Sequence, residues 1–126
     1  MESAPVSLAK VDSCPLQYIL ALNDTMNVLN GKWKIPIIAS MIHEKKRFRD
    51  IQLALPHITA RMLSKELREL EANSIVVREI SNTYPAIIQY TLTPSAYLLK
   101  RVLDKMIEWG ICHRHAVMSP KPIDHC

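Results

Sequence analysis

Apolar positions recur with helical spacing from about residue 15 to residue 73, and the spacing then drops to two. Ile19, Leu22, Met26 and Leu29 stand at i, i+3, i+7 and i+10, which predicts a first helix. Asn30-Gly31 ends it, with Gly31 suited to a left-handed cap. A short second helix is expected over about Trp33 to Ile42, with Pro36 in its first turn, where a missing N–H costs little. Phe48, Ile51 and Leu55 mark a third helix, stopped by Pro56. The fourth runs from about Thr59 to Asn73, with Thr59 as N-cap and no capping-box glutamate three residues on.

Residues 75–80 are rich in β-branched side chains, and Ile88, Tyr90 and Leu92 alternate with Gln89 and Thr91. "SNTYPA" between them is a polar turn, so a β-hairpin follows the fourth helix directly. A last helix is expected over about Ser95 to His115. The order is two helices, an uncertain short strand, two helices, two strands and a helix, without repeats or low-complexity runs.

The fourth helix divides its faces by charge. With Leu63 at zero and about 100° per residue, Leu67 and Leu70 fall within about 40° and form a core stripe. Arg61, Lys65 and Arg68 fall between about 140° and 200°, with Ala72 among them and Ser64 at the border. Glu66 and Glu69 lie to one side and Glu71 to the other. A cationic face with small hydroxyls suits the DNA major groove, where Arg and Lys meet guanine edges or phosphates. A solvated outer face, with an attractive Lys65–Glu69 pair, is the plain alternative.

The context favours DNA. Helix, tight turn through Pro56 and helix make a helix-turn-helix, and the hairpin behind it makes the winged form. The hairpin tip, Ser81 to Pro85, can reach an adjacent groove or backbone. Arg78 and the Lys45–Arg49 cluster, with Lys46, Arg47 and Arg49, are placed to meet phosphates.

Composition agrees with one domain: 126 residues, 48% hydrophobic and 22% charged. The net charge of +4 favours a polyanionic partner without requiring one. "MESAPVSLAKVDS" lacks the apolar core of a signal peptide, and no apolar run approaches the ~20 residues of a membrane span, so a cytoplasmic location and no membrane partner are expected. Two glycines leave no phosphate-cradling loop, and no Ser/His/Asp constellation has catalytic spacing, so no enzyme is expected.

The residues resemble the HxlR-type branch of the winged helix-turn-helix regulators, related to the MarR group. The matching pieces are "CPLQYIL", "LNGKWKIPII", "KRFRDIQLALPHITARMLSKELRELEANSIVVRE", "IIQYTLTPSAYLL" and "IEWG", together covering about residues 14 to 114. The resemblance implies an α+β, mostly helical fold: a winged helix-turn-helix with N- and C-terminal dimerisation helices. It implies a homodimer on a palindromic double-stranded DNA operator, with no cofactor. By position, Thr59, Ala60, Arg61, Ser64, Lys65 and Arg68 take the DNA-facing role, with Asn82, Thr83 and Tyr84 at the wing tip. The parts implied are an N-terminal arm (1–14), the DNA-binding domain with its dimerisation helices (15–115) and a C-terminal tail (116–126). Two positions depart from the family. Ile87 stands where the wing usually carries an arginine, and Ala96 where a glycine follows Leu-Thr.

The last helix carries apolar residues at Leu98-Leu99, Val102-Leu103, Met106-Ile107, Trp109 and Ile111, a stripe too wide for one contact with a small core. Leu99, Val102, Leu103, Met106 and Trp109 are therefore expected in a dimer interface, joined by Ile19 and Leu22 of the first helix, with a helix buried inside a single chain as the alternative.

Three cysteines at wide spacing make no disulfide framework or zinc motif. Some members of the resembled family use a cysteine near the N-terminus as a thiol sensor, and Cys14 occupies that place. An inert packed cysteine is the plainer reading, with a response to oxidants or a small effector at Cys14 as the alternative. Cys112, His113, His115, His125 and Cys126 are ligand types without metal-site spacing, so no metal is expected. An alternative function is a protein-interaction module whose basic helix binds an acidic partner.

Overall fold

The computed structural model describes residue 8 and residues 12–118. Most of the arm (1–14), the end of the tail (116–126), and His125 and Cys126 lie outside the described residues.

Among the described residues the elements from Pro15 onward are α1 (Pro15–Val28), α2 (Lys34–Ser40), α3 (Phe48–Ala54), α4 (Ala60–Ala72), β1 (Val76–Ile80), β2 (Ile88–Leu92), α5 (Pro94–Tyr97) and α6 (Leu99–Met118), with β1 and β2 forming a two-stranded sheet. This is the mostly helical winged helix-turn-helix expected. Pro15 starts α1, where its fixed φ suits a helix and its missing N–H is no loss. Beyond α1, Gly31 takes a φ of 87°, the left-handed conformation foreseen for it.

Between α3 and α4 the chain reverses over four residues, with the Ile58 N–H donating to the Leu55 carbonyl at 3.3 Å. Pro56 holds the second position and His57 the third with a φ of 74°, the sign that a type II turn requires. At the far end of α4, Ser74 takes a φ of 58°. The Ile75 N–H then reaches the Leu70 carbonyl at 2.9 Å, and the Ser74 N–H reaches Glu71 at 3.0 Å. That is a Schellman closure, and Leu70 and Ile75 on either side of it are both buried in the core. It turns the helix directly into the wing.

The strands are antiparallel, in a register that sets Arg78 opposite Tyr90 and Ile80 opposite Ile88. The uncertain short strand is a single bridge, Lys46 with Tyr90. The Lys46 N–H donates to the Tyr90 carbonyl (2.9 Å) and the Tyr90 N–H to the Lys46 carbonyl (2.7 Å), which clips the cationic loop to the wing.

One core joins α2, α3, α4, the base of the wing and the start of α6. Ile37, Ile38, Met41, Ile51, Leu63, Leu67 and Leu70 are its fully buried side chains. Two expectations change here. The last helix is not continuous but turns at Leu98, where bonds run three residues back: Leu98 N–H to Ser95 C=O (3.2 Å) and Arg101 N–H to Leu98 C=O (3.3 Å). Ala96, 1% exposed, pins α5 to the core, and α6 meets it only near its start. The second change is Leu103, which is 8% exposed and packs in this chain's own core rather than on an outer face. Leu99 also packs partly against that core.

Candidate nucleic-acid interface

Helix α4 is held at three points. Thr59 caps it, its Oγ1 accepting the Met62 N–H at 3.1 Å. Leu63, Leu67 and Leu70, at 0, 1 and 0% exposure, fix its rotation. The third hold is an ion cluster. The Lys34 Nζ lies 2.6 Å from Glu66 Oε1 and 2.5 Å from Glu69 Oε1. Lys34 and Glu66 are buried, and the Glu69 side chain is 43% exposed.

The two acids placed on one flank by the helical repeat are thus drawn inward against α2. Burial would lower the Lys34 pKa, but the hydrogen bonds that the ammonium donates to both carboxylates, and their charges, outweigh it, and the pKa stands above its ordinary value. Glu69 is held below the usual carboxylate range, first by its hydrogen bond to Lys34 and then by that ammonium's charge. Periodicity alone does not single out Lys34. The signal is faint: a lone lysine inside the apolar run "WKIPII".

With the acids withdrawn, α4 turns its cations outward. Arg61, Lys65 and Arg68 are exposed and line one shallow hollow with Thr59 and Met62. Ala60 is exposed and Ser64 half-buried. The Lys65–Glu69 pair expected at i,i+4 is present but long, at 3.9 Å.

A second groove runs between α4 and the wing, lined by Ser64, Leu67, Arg68, Glu71, Arg78 and Tyr90. Arg78 is thereby brought beside Arg68, on the sheet face where its cross-strand partner Tyr90 and then Lys46 lie. Arg47 and Arg49, at the start of α3, are exposed. Other loop cations are engaged: Lys45 lies 3.4 Å from Glu79, and Lys46 lies 3.4 Å from Glu44.

The wing tip is organised by Ser81. Its N–H donates to the Ile87 carbonyl (2.9 Å), and its hydroxyl accepts the Ile87 N–H (2.8 Å). Asn82, Thr83 and Tyr84 are exposed, Tyr84 fully.

Away from this face, α1 buries none of its residues, and Ile19 and Leu22 stay open at 53% and 54%. On α6 Val102, Met106 and Trp109 are likewise about half exposed or more, and Val102, Met106 and Trp109 line an apolar hollow with Lys105 and Gly110. The Trp109 ring stacks on His113 at 4.8 Å. Cys14, half-buried and a free thiol, is the N-cap of α1. Among the described residues no group of three His, Cys, Asp or Glu side chains is placed to hold a metal, and no helix is long and apolar enough to cross a membrane.

A family model, the HxlR-like helix-turn-helix, matches residues 28–118. The HTH-type transcriptional regulator YybR of Bacillus subtilis is 38% identical over 108 residues, which is 86% of this chain and 82% of that protein. Among solved structures, a MarR-family transcriptional regulator from Enterococcus faecalis V583 superposes with a TM-score of 0.72 at 33% identity, over 79% of this chain and 91% of the other. The redox regulator HypR in its reduced form gives 0.72 at 39% identity, over 78% and 97%.

Proposed function

The chain belongs to the HxlR-like helix-turn-helix family of transcriptional regulators, and from that membership we propose that it acts as a homodimer on a palindromic DNA operator. It is a regulator and not an enzyme. In this reading α4 enters the major groove. Arg61, Ser64, Lys65 and Arg68 face base edges and phosphates there, with Thr59 and Ala60 at the leading end. Arg78, Lys46, Arg47 and Arg49 meet the flanking backbone, and Asn82, Thr83 and Tyr84 carry the wing to the neighbouring groove.

The observation that carries this reading is the opposition across α4. Three leucines are sealed in the core, three cations stand on the far side, and two of the helix's acids are turned away to Lys34. A solvated face has no need of that segregation. The exposed apolar rows of α1 and α6 support the dimer, since such patches mark association surfaces. A two-fold dimer offers its recognition helices to half-sites about one DNA turn apart.

The test is fluorescence anisotropy with duplexes selected by the protein, at several salt concentrations. Affinity should fall steeply with salt and favour two-fold sequences. Binding that ignores both salt and sequence symmetry would favour the acidic-protein partner instead.

A second reading concerns control. Cys14 is a free thiol at the cap of α1, on one of the proposed dimer helices, and a similar solved structure is described as a redox regulator. Oxidant or a small electrophile at Cys14 would then alter the dimer and release DNA. Oxidant-sensitive binding that survives unchanged in Cys14→Ser would rule this out.

A further inference from the structure

Lys34 lies where no nucleic acid can touch it, 3% exposed in the first turn of α2. It nevertheless controls a carboxylate that borders the cationic stripe. The Lys34 Nζ holds Glu69 Oε1 at 2.5 Å, while the other oxygen of the same carboxylate, Oε2, stands 3.9 Å from the Lys65 Nζ. One acid therefore stands between a buried ammonium and an exposed one.

The two contacts are unequal. A short charge-assisted hydrogen bond under a shielded cation is strong. A long surface ion pair between mobile side chains contributes little. Folding alone has no need of both acids, because Glu66, itself buried, already balances the Lys34 charge. The second carboxylate is 43% exposed, so its orientation matters mainly at the surface.

Resting on the DNA-binding reading above, we infer that Lys34 is a positioning residue for DNA recognition: it holds Glu69 inward and so keeps Lys65 available for the phosphate backbone. Without Lys34, the carboxylate at i+4 is free to close on Lys65. One cation of the stripe is then neutralised, and a negative charge stands beside the phosphates.

The test removes the buried pair as a unit, in Lys34→Met/Glu66→Gln, so that no buried charge is stranded. Binding is read by anisotropy across a salt series, on a labelled duplex selected from a random-sequence pool by the wild-type protein. The double variant should bind about tenfold more weakly, with a salt slope shallower by about one, as expected for one lost phosphate contact. Adding Glu69→Gln should restore both affinity and slope. A fold defect predicts no such rescue and no selective change in slope.

Wild-type affinity and slope in the double variant, or no recovery in the triple variant, would overturn the inference while leaving DNA binding intact. Wild-type protein that binds no duplex would overturn the functional reading, and this inference with it. Glu69→Gln alone keeps the Lys34–Glu66 pair and tests the point without disturbing the core. It should change affinity by no more than about twofold, because Lys34 already holds that charge. A tenfold gain would show Glu69 acting on the DNA face in the wild type, against the inference.

Discussion

Lys34 and Glu66, 32 residues apart in sequence, meet at 2.6 Å inside the protein and tie α2 to α4. A buried ion pair adds little net stability over an apolar replacement, but removing one partner strands the other. Lys34→Met should therefore destabilise the fold by about 3 kcal/mol, read as a lower urea midpoint at unchanged slope. Lys34→Met/Glu66→Gln should recover most of that loss. A single variant as stable as wild type would mean that Glu66 reaches water.

The same cluster sets a pH dependence. The Glu69 carboxyl is held low by Lys34, so its contribution is present above the ordinary glutamate value, about 4.3, and is lost as pH falls through the lower folded value. The Lys34 pKa is raised, so its contribution is present below the ordinary lysine value and lost as pH climbs through the raised one. Chemical denaturation across pH should show a plateau at neutrality, with an acid limb that Glu69→Gln flattens. Superimposable acid limbs for variant and wild type would contradict this.

The backbone at Ser74 gives a stabilising substitution. A non-glycine residue at a φ of 58° is strained, and the Schellman closure there favours glycine. Ser74→Gly should raise stability by about 0.5–1 kcal/mol after glycine's own entropic cost. Thermal unfolding would measure it, and a lower midpoint would refute the argument.

On the DNA face, base-reading and backbone contacts should separate by mutation. Arg61→Ala should cost about 1–3 kcal/mol and relax preference at one operator position, while Arg78→Ala should weaken every duplex alike and reduce the salt slope by about one. Both variants should unfold like wild type, since both side chains are exposed. Unchanged binding in both would move the interface elsewhere.

Trp109 and Leu103 make a paired test of the dimer. Trp109 is 66% exposed in one chain and Leu103 is 8% exposed. Trp109→Glu should give a folded monomer by sedimentation, whereas Leu103→Ala should lower stability by about 2–4 kcal/mol through a core cavity. A monomeric wild type, or a Trp109→Glu protein that still dimerises, would exclude α6 as the dimer surface.

Much of this was legible in the chain because it is local. The leucine spacing, the Thr59 cap, the Pro56 stop and the alternation of Ile88, Tyr90 and Leu92 each depend on a few neighbouring residues. The rest depends on packing. Periodicity put Glu66 on a flank, but only the seating of α2 against α4 brings it to Lys34. The wide apolar stripe of the last helix does not say which row faces inward, so spacing alone groups Leu103 with Val102 and Met106. The turn at Leu98 was hidden for a similar reason, because Leu98-Leu99 continues an unbroken apolar pattern.

On the proposed DNA-binding reading, the break at Leu98 would bear on operator geometry. Beyond it α6 buries only Leu103, so little else in this chain holds the direction of the helix. Over 20 residues, about 30 Å, a change of about 5° displaces the distal end by roughly 2.6 Å. In a two-fold dimer the two copies of the joint act together. If the proposed dimer holds, half-site spacing would depend on this one break, remote from the residues proposed to touch DNA, and substitutions at Leu98 or Ala96 would be expected to change the preferred spacing in a selection of two-fold duplexes.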